Sequence, residues 1–365
     1  MKVCCVIDSL GSGGAQRQMT WLVQLLVQRG HDVSLLTYHD FDHYLPLIRS
    51  VGVEPICLST PSKLGRIRRF RRQIKQLKPD VIISFLDVPN MLSVFAALPP
   101  RRIPVIVSER IHDALGVTRS NRIRLNSYRF ASKVVTNSQA QFDFIADHFP
   151  FLKPKLHKIT NCVDLDRFRP VESKPHDQRR RILVGASVIP RKNAQSLIRA
   201  LAQFKDDSVS VDWFGNQLLN EGQSTAQSAY FEEAVELARQ LGVDDRFRFH
   251  PPVENIHQQF GNYDACCLPS LYEGFPNIIC EAMASGLPVL VSRRGDLVEL
   301  AGEGRGIFFD PEQVESMVEA LRHFASLSGQ ELDQMGARNR EYALREFSPD
   351  KLADQYEQLM REVTG

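Results

Sequence analysis

The stretch ACCLPSLYEGFPNIICEAMASGLPVLVS, Ala265 to Ser292, reads as strand, loop, helix and strand. Pro276 suits the start of the helix, because its missing N–H costs nothing in a first turn. Gly286 suits its end, and Pro288 opens the next strand. A helix between two short apolar strands is a crossover unit, which calls for parallel strands. The reading puts Glu273 in the loop and Glu281 one to two turns into the helix, with seven residues between them.

The same alternation continues in both directions. KVCCVI, DVSLLTY, DVIISF, VIVSER and KVVTNS are strand-like runs in the first half, with a helical GGAQRQMTWLVQLLVQRG ended by Gly30. Near Pro170 the texture turns polar, and PVESKPHDQRRR reads as a linker. RILVGAS, the helix NAQSLIRALAQF, VSVDWFG, a long helix from about Ser228 to Leu241, and FRFHP then lead into the opening stretch. The expected fold is α/β, two tandem doubly wound Rossmann-like domains facing a central cleft. The expected domains are 1–170 and 171–365, and the last helix, about 350–365, is a candidate to pack back on the N-terminal domain.

A chain of 365 residues suits two domains. Hydrophobic residues at 43% and charged residues at 24% fit a soluble globular enzyme. A net charge of +2 creates no global field for nucleic acid. No apolar run reaches the roughly 18 residues of a membrane span, and the first apolar run is too short for a signal peptide. The location expected is cytoplasmic. Seven cysteines without a CxxC pattern read as reduced, buried thiols. His39 and His43, with Asp40 and Asp42 between them, could ligate a metal only on a helix, and the loop reading there is preferred.

Two strand-to-helix turns carry phosphate signals. LGSGGAQRQ supplies Gly11, Gly13 and Gly14 for close backbone approach at a helix start. The dinucleotide fingerprint needs a third glycine at Gln16, and a P-loop lysine is missing. VGASVIPRKN occupies the matching place in the second half, with Arg191 and Lys192 at the turn. Cations there oppose the helix dipole, so they call for a reason, and a diphosphate is one. Glu273 and Glu281 could accept sugar and ribose hydroxyls or form an acid/base pair, and spacing does not choose between these.

Glu273-Gly-Phe-Pro-Asn with Glu281 and AMASGLPVL resembles the E-x7-E motif of family 4 retaining glycosyltransferases of the GT-B fold. GGAQRQM, SERIHD, VVTNS, ITNCVDLDRFRP and YDACCLPSLYEGFPN extend the resemblance over nearly the whole chain. It implies that Glu281 holds the nucleotide ribose and Glu273 the transferred hexose near its anomeric carbon. Gly274, Phe275, Pro276 and Asn277 would border sugar and phosphates, and Gly185 would belong to the donor site. Lys192, helped by Arg191, would stabilise the leaving diphosphate. Gly13 and Gly14 would approach phosphate or acceptor, and Val253 would meet the base through its backbone. The chain departs from the family in two places: Ala186 stands for the usual arginine, and Cys162 for the usual glycine of the N-G-V-D segment. Arg191 is a candidate to replace the missing arginine. Arg110 and His112 are candidates for the catalytic role of the histidine common after the fifth strand.

The activity implied is transfer of a hexose or N-acetylhexosamine from a nucleotide-diphosphate sugar, UDP first and GDP-mannose second. The acceptor would be a lipid-linked or polysaccharide-precursor hydroxyl, and no metal or other cofactor is obligatory. The rivals are an epimerase or phosphorylase of the same architecture, a sugar-binding protein without catalysis, and a nicotinamide dehydrogenase. A further feature is KLGRIRRFRRQIKQLKPD, Lys63 to Asp80, with apolar residues at helical spacing and no acid before Asp80. Its face bearing Arg66, Arg68, Arg69 and Arg72 is a candidate for peripheral attachment to anionic lipid.

Overall fold

The structure, a computed structural model, describes every residue except Pro61, 100–102, 111–115, 172–178, 216–224 and Glu303, and the side chains of 63, 64 and 225–228. The chain divides into two compact units, Met1–Cys162 with Pro349–Gly365, and Val163–Ser348. The break falls at Cys162, earlier than the linker. Val163 donates its N–H to Phe347 O at 2.9 Å, and the Phe168 ring lies 6.0 Å from Phe260, so the segment up to Pro170 packs with the second unit.

The first unit runs β1 (Lys2–Val6), α1 (Gly14–Gln28), β2 (Asp32–Thr37), α2 (Leu45–Arg49), β3 (Ile56–Cys57), α3 (Lys63–Leu77), β4 (Val81–Phe85), α4 (Asp87–Ala96), β5 (Val105–Glu109), α5 (Arg119–Ser127), β6 (Lys133–Thr136), α6 (Gln139–His148) and β7 (Leu156–Lys158). The second runs β8 (Arg180–Gly185), α7 (Ala194–Gln203), β9 (Val209–Phe214), α8 (Thr225–Gln240), β10 (Phe247–His250), α9 (His257–Phe260), β11 (Ala265–Leu268), α10 (Asn277–Ala284), β12 (Val289–Ser292), α11 (Leu297–Leu300), β13 (Gly306–Phe309), α12 (Val314–Ser326) and α13 (Gly329–Glu346). The last helix, α14 (Pro349–Thr364), counts with the first unit.

All strands pair in parallel, in the orders β3-β2-β1-β4-β5-β6-β7 and β10-β9-β8-β11-β12-β13. In each sheet the order reverses beside the first strand, between β1 and β4 and between β8 and β11. That reversal is the place where ligands of doubly wound sheets bind, beyond the carboxyl ends of the strands.

The strands are short and buried on both faces because helices cover both. In the first unit, Met19 and Leu22 of α1 join Tyr356 and Leu359 of α14 on one face. Phe70 and Ile74 of α3 lie with Tyr128 on the other. Arg29 ties α14 down through Asp350 at 3.1 Å and Glu357 at 3.1 Å. In the second unit, Trp213, Leu197 and Phe324 fill one face, and Ile279, Met283 and Phe347 fill the other. Gly286 follows α10 with φ +70°, a conformation that glycine adopts without strain.

Candidate functional site

The loops after β8 and β11 meet at the reversal point of the second sheet. After β8 the backbone of Ala186 is locked: its N–H donates to Phe214 O at 2.9 Å and its carbonyl accepts from Trp213 Nε1 at 2.6 Å. The chain then makes a short turn, Pro190–Lys192, and Asn193 takes a left-handed conformation before α7 begins. After β11 it runs through Ser270 and Glu273 to Pro276, the cap of α10. Leu271 N–H donates to Arg191 O at 2.9 Å, which joins the two loops through their backbones.

This junction brings together three of the expected residues. Lys192 Nζ donates to Glu273 Oε1, and Arg191 Nη1 lies 3.5 Å from Glu273 Oε2. The Lys192 and Glu273 side chains are only 13% and 10% exposed, so their pairing is largely shielded from solvent. Burial lowers the Lys192 pKa from the ordinary lysine value, and the attraction of Glu273 only partly offsets it. Two cations therefore stand on one carboxylate, and this three-residue cluster carries a net positive charge. Gly274 and Phe275 of the loop, and Ile278 in the first turn of α10, donate their N–H groups to no backbone carbonyl among the described residues. Cations beside unclaimed N–H groups at a helix start form an anion site.

The other residues expected at the donor site belong to the same unit. Gly185 ends β8 against α10: a Cβ there would stand 2.7 Å from Ile278 Cδ1. Glu281 is buried within α10, at 4% exposure. The Cys266 thiol is pushed up by its burial, with Cys267 and Glu281 adding to the shift. The Phe275 ring packs edge-on to Phe347, centroids 6.2 Å apart, which fixes the loop before α10. Asn277 begins α10. Val253 stands exposed in the loop between β10 and α9.

Gly13, Gly14 and Arg110 belong to the first unit. Gly13 caps α1 without a side-chain bond and Gly14 opens it. Gln16 folds back over Gly13, its Nε2 donating to Asp8 Oδ1 at 2.9 Å. Arg110 turns inward. Its guanidinium lies 3.8 Å over the Phe85 ring and donates to Asn161 Oδ1 at 2.5 Å and Tyr356 Oη at 2.9 Å. His112 lies outside the described residues. The His39–His43 stretch is loop, and among the described residues no group of three His, Cys, Asp or Glu side chains is placed to hold a metal.

Sequence reasoning missed two features. One is Asn193, whose signal was only an Asn before a helix. The other is a buried polar network at the end of β5. Glu109, fully buried, lies 3.1 Å from Arg124 Nη2 and accepts from Tyr128 Oη. Asn90 donates to Ser108 O at 3.0 Å and to Tyr128 Oη at 3.1 Å. Burial, with the nearby Glu109 charge, raises the Tyr128 pKa well above the usual tyrosine value, so its hydroxyl stays a donor. An acid ending an otherwise apolar strand was the available clue.

Residues 12–167 match the family described as Glycosyltransferase Family 4, and residues 166–342 match Glycosyl transferases group 1. The D-inositol 3-phosphate glycosyltransferase of Streptomyces avermitilis is 28% identical over 207 residues, 53% of this chain and 44% of that protein. This chain thus spans less than half the length of that relative. An α-1,4-N-acetyl-D-galactosaminyltransferase of Campylobacter jejuni, named for a diphospho-undecaprenol-linked glycan, is 24% identical over 295 residues, 78% of this chain and 77% of that protein. The solved structure of Anabaena Alr3699/HepE in complex with UDP superposes with a TM-score of 0.85 at 19% identity, covering 99% of this chain and 100% of that one. At that identity the likeness establishes the fold, the two-domain GT-B architecture.

Proposed function

Because the chain belongs to glycosyltransferase family 4, we propose that it transfers a hexose or N-acetylhexosamine, with retention, from a UDP-sugar to a hydroxyl of a lipid-linked or polysaccharide-precursor glycan. GDP-mannose is the second donor choice. The observation that carries the reading is the Arg191–Lys192–Glu273 cluster at the reversal point of the second sheet. A diphosphate entering there meets two cations and the N–H groups of Gly274, Phe275 and Ile278. Glu273, held by Lys192, keeps its carboxylate available for hexose hydroxyls, and Glu281 serves the ribose.

In the transfer step the acceptor oxygen bonds to the anomeric carbon as that carbon's bond to the diphosphate oxygen breaks. The bonding pair leaves on the diphosphate, and the acceptor proton passes to it. Lys192 and Arg191 stabilise the charge that grows on the leaving oxygen, which is where preorganised electrostatics contribute most. With Ala186 in place of the usual arginine, Arg191 supplies the second cation. The Campylobacter relative's name favours an N-acetylhexosamine and a polyprenyl-diphosphate acceptor, and the Anabaena complex favours UDP.

A donor screen read by nucleotide release tests this. Release from a UDP-sugar should require the glycan acceptor. Conversion of the donor without any acceptor would favour an epimerase or phosphorylase, and binding without turnover would favour a sugar-binding protein.

A polyprenyl acceptor stays in its bilayer, which suits peripheral attachment at the cytoplasmic face. No helix among the described residues is long and apolar enough to span a membrane. On α3, Arg66 stacks 4.3 Å from the Tyr38 ring and Arg69 donates to Ser59 O at 2.5 Å, so both serve the fold as well. Arg68, Arg72 and Lys75 point to solvent and form the stronger lipid-facing set. Vesicle sedimentation should show binding that requires anionic lipid and weakens with salt. Equal pelleting with neutral vesicles would contradict electrostatic attachment.

A further inference from the structure

Asn193 joins three loops with one side chain. It is buried at 7% exposure and left-handed, at φ 63° and ψ 40°. Its Nδ2 donates to Pro269 O at 3.2 Å and to Pro311 O at 2.7 Å. Pro269 opens the loop that carries Glu273, and Pro311 follows β13, two strands beyond β11. Asn193 itself follows Lys192 directly. Both of its partners are carbonyls, so the amide nitrogen must face them. The residue choice is narrow. Glycine adopts the left-handed conformation but has no amide. Aspartate tolerates it but would aim an anion at two carbonyl oxygens, and most other side chains are strained there.

The geometry points to Asn193 as a positioning residue that sets the distance between Lys192 and Glu273; this rests on the glycosyltransferase reading above. The ion pair alone is a poor ruler. Lysine has four rotatable side-chain bonds and a compact charge, so the pair tolerates drift of the loops. The amide pins both loops by directed bonds to backbone. A stabiliser of a growing charge works only where that charge develops, and a shift of about 1 Å costs on the order of 10²-fold in rate. A loop freed to drift would keep its ion pair and its nucleotide yet lose rate.

Asn193→Gly keeps the left-handed turn and removes both bonds. The expected result is a native circular-dichroism spectrum, UDP affinity within about twofold of wild type, and kcat lowered about tenfold or more at an unchanged donor KM. In the Lys192→Ala background the same change should alter kcat by less than about twofold, because an effect exerted through Lys192 disappears with it. An equal fractional loss in both backgrounds, or kcat within about twofold of wild type in Asn193→Gly, overturns the inference. If Asn193→Gly does not fold, Asn193→Asp carries the test with a larger expected loss, and normal turnover there overturns it. Independently of catalysis, the Lys192 Nζ signal in a ¹⁵N-lysine NMR titration should move toward the ordinary lysine range in Asn193→Gly. An unmoved titration would count against the positioning role. A wild-type protein that releases no nucleotide from any donor rejects the glycosyltransferase reading instead, while the NMR titration still decides the role of Asn193.

Discussion

The two sheets reverse their strand order at the same topological point, yet they equip it differently. In the second unit the loops after β8 and β11 bring Arg191, Lys192 and Glu273 together at a helix start. In the first unit the loop after β1 carries Asp8, and Asp87 opens α4 just after β4. Asp8 accepts from Gln16, and Asp87 pairs with Arg124 at 2.7 Å. The first loop has the glycines of a phosphate turn but no cation, and an acid stands at its base. The second unit reaches α10 through Pro276 at φ −85°, an ordinary value. The first reaches α4 through Leu86 at φ 76° and ψ 159°, a region that costs a non-glycine residue about 1–3 kcal/mol. The fold thus offers a ligand position twice, and side-chain charge decides what each accepts. The second suits a diphosphate. The first presents acids beside a strained turn, and both acids are engaged by Gln16 and Arg124.

The largest effects should come from the second unit. Lys192→Ala should lower kcat by about 10²-fold or more, the loss of one preorganised stabiliser. A change confined to acceptor KM would remove Lys192 from the leaving-group role. Glu273→Gln should also cut transfer heavily with the fold intact, and near-normal turnover would break its assignment to the hexose.

Glu281→Ala should act on binding more than on chemistry. Losing a charged hydrogen-bond acceptor for the ribose should weaken UDP affinity about tenfold, equal to about 1.4 kcal/mol. Calorimetry showing unchanged affinity would contradict the ribose role.

A pH profile sharpens the comparison. Burial lowers the Lys192 pKa, so this lysine loses its charge at lower pH than an exposed one. Activity should therefore fall on the alkaline side below the usual lysine range, and Lys192→Arg should move that fall upward. Stability should move the other way. Between the folded and unfolded pKa values the unfolded chain binds more protons, so the contribution of Lys192 to folding stability rises with pH. An alkaline fall unmoved by Lys192→Arg would separate it from Lys192.

The glycines should give the smallest effect on activity and a clear contrast in stability. A Cβ on Gly215 would stand 1.8 Å from the fixed carbonyl of Ala186, so Gly215→Ala should destabilise by about 3 kcal/mol or more. A Cβ on Gly13 meets only the movable end of Gln16, 2.1 Å away, and Gly13→Ala should cost less than about 1 kcal/mol. Equal melting shifts would undo the view that the first loop is slack and the second rigid.

The fold was legible because its strands are apolar runs separated by helical periods and punctuated by Gly and Pro. What escaped were β3, with two residues, β7, with three, and β13, whose GIFF follows a glycine-rich turn. Such strands are defined by their neighbours rather than by their own pattern. In the site, Lys192 and Glu273 could be singled out from motif positions 81 residues apart, but their contact depends on strand order. Asn193 was invisible because its role lies in two backbone carbonyls, which no side-chain pattern records. Arg110 was readable as a cation near a strand end. That it faces Phe85 and bonds to Tyr356 depends on packing with α14, 246 residues further along the chain.

A crystal structure of the protein with UDP tests the central claim most directly. The account predicts the diphosphate on the second unit, within hydrogen-bond distance of Lys192 Nζ and of the N–H groups at the start of α10, with the ribose on Glu281. A diphosphate seated on Gly13 and Gly14, or one that leaves Lys192 untouched, would contradict it.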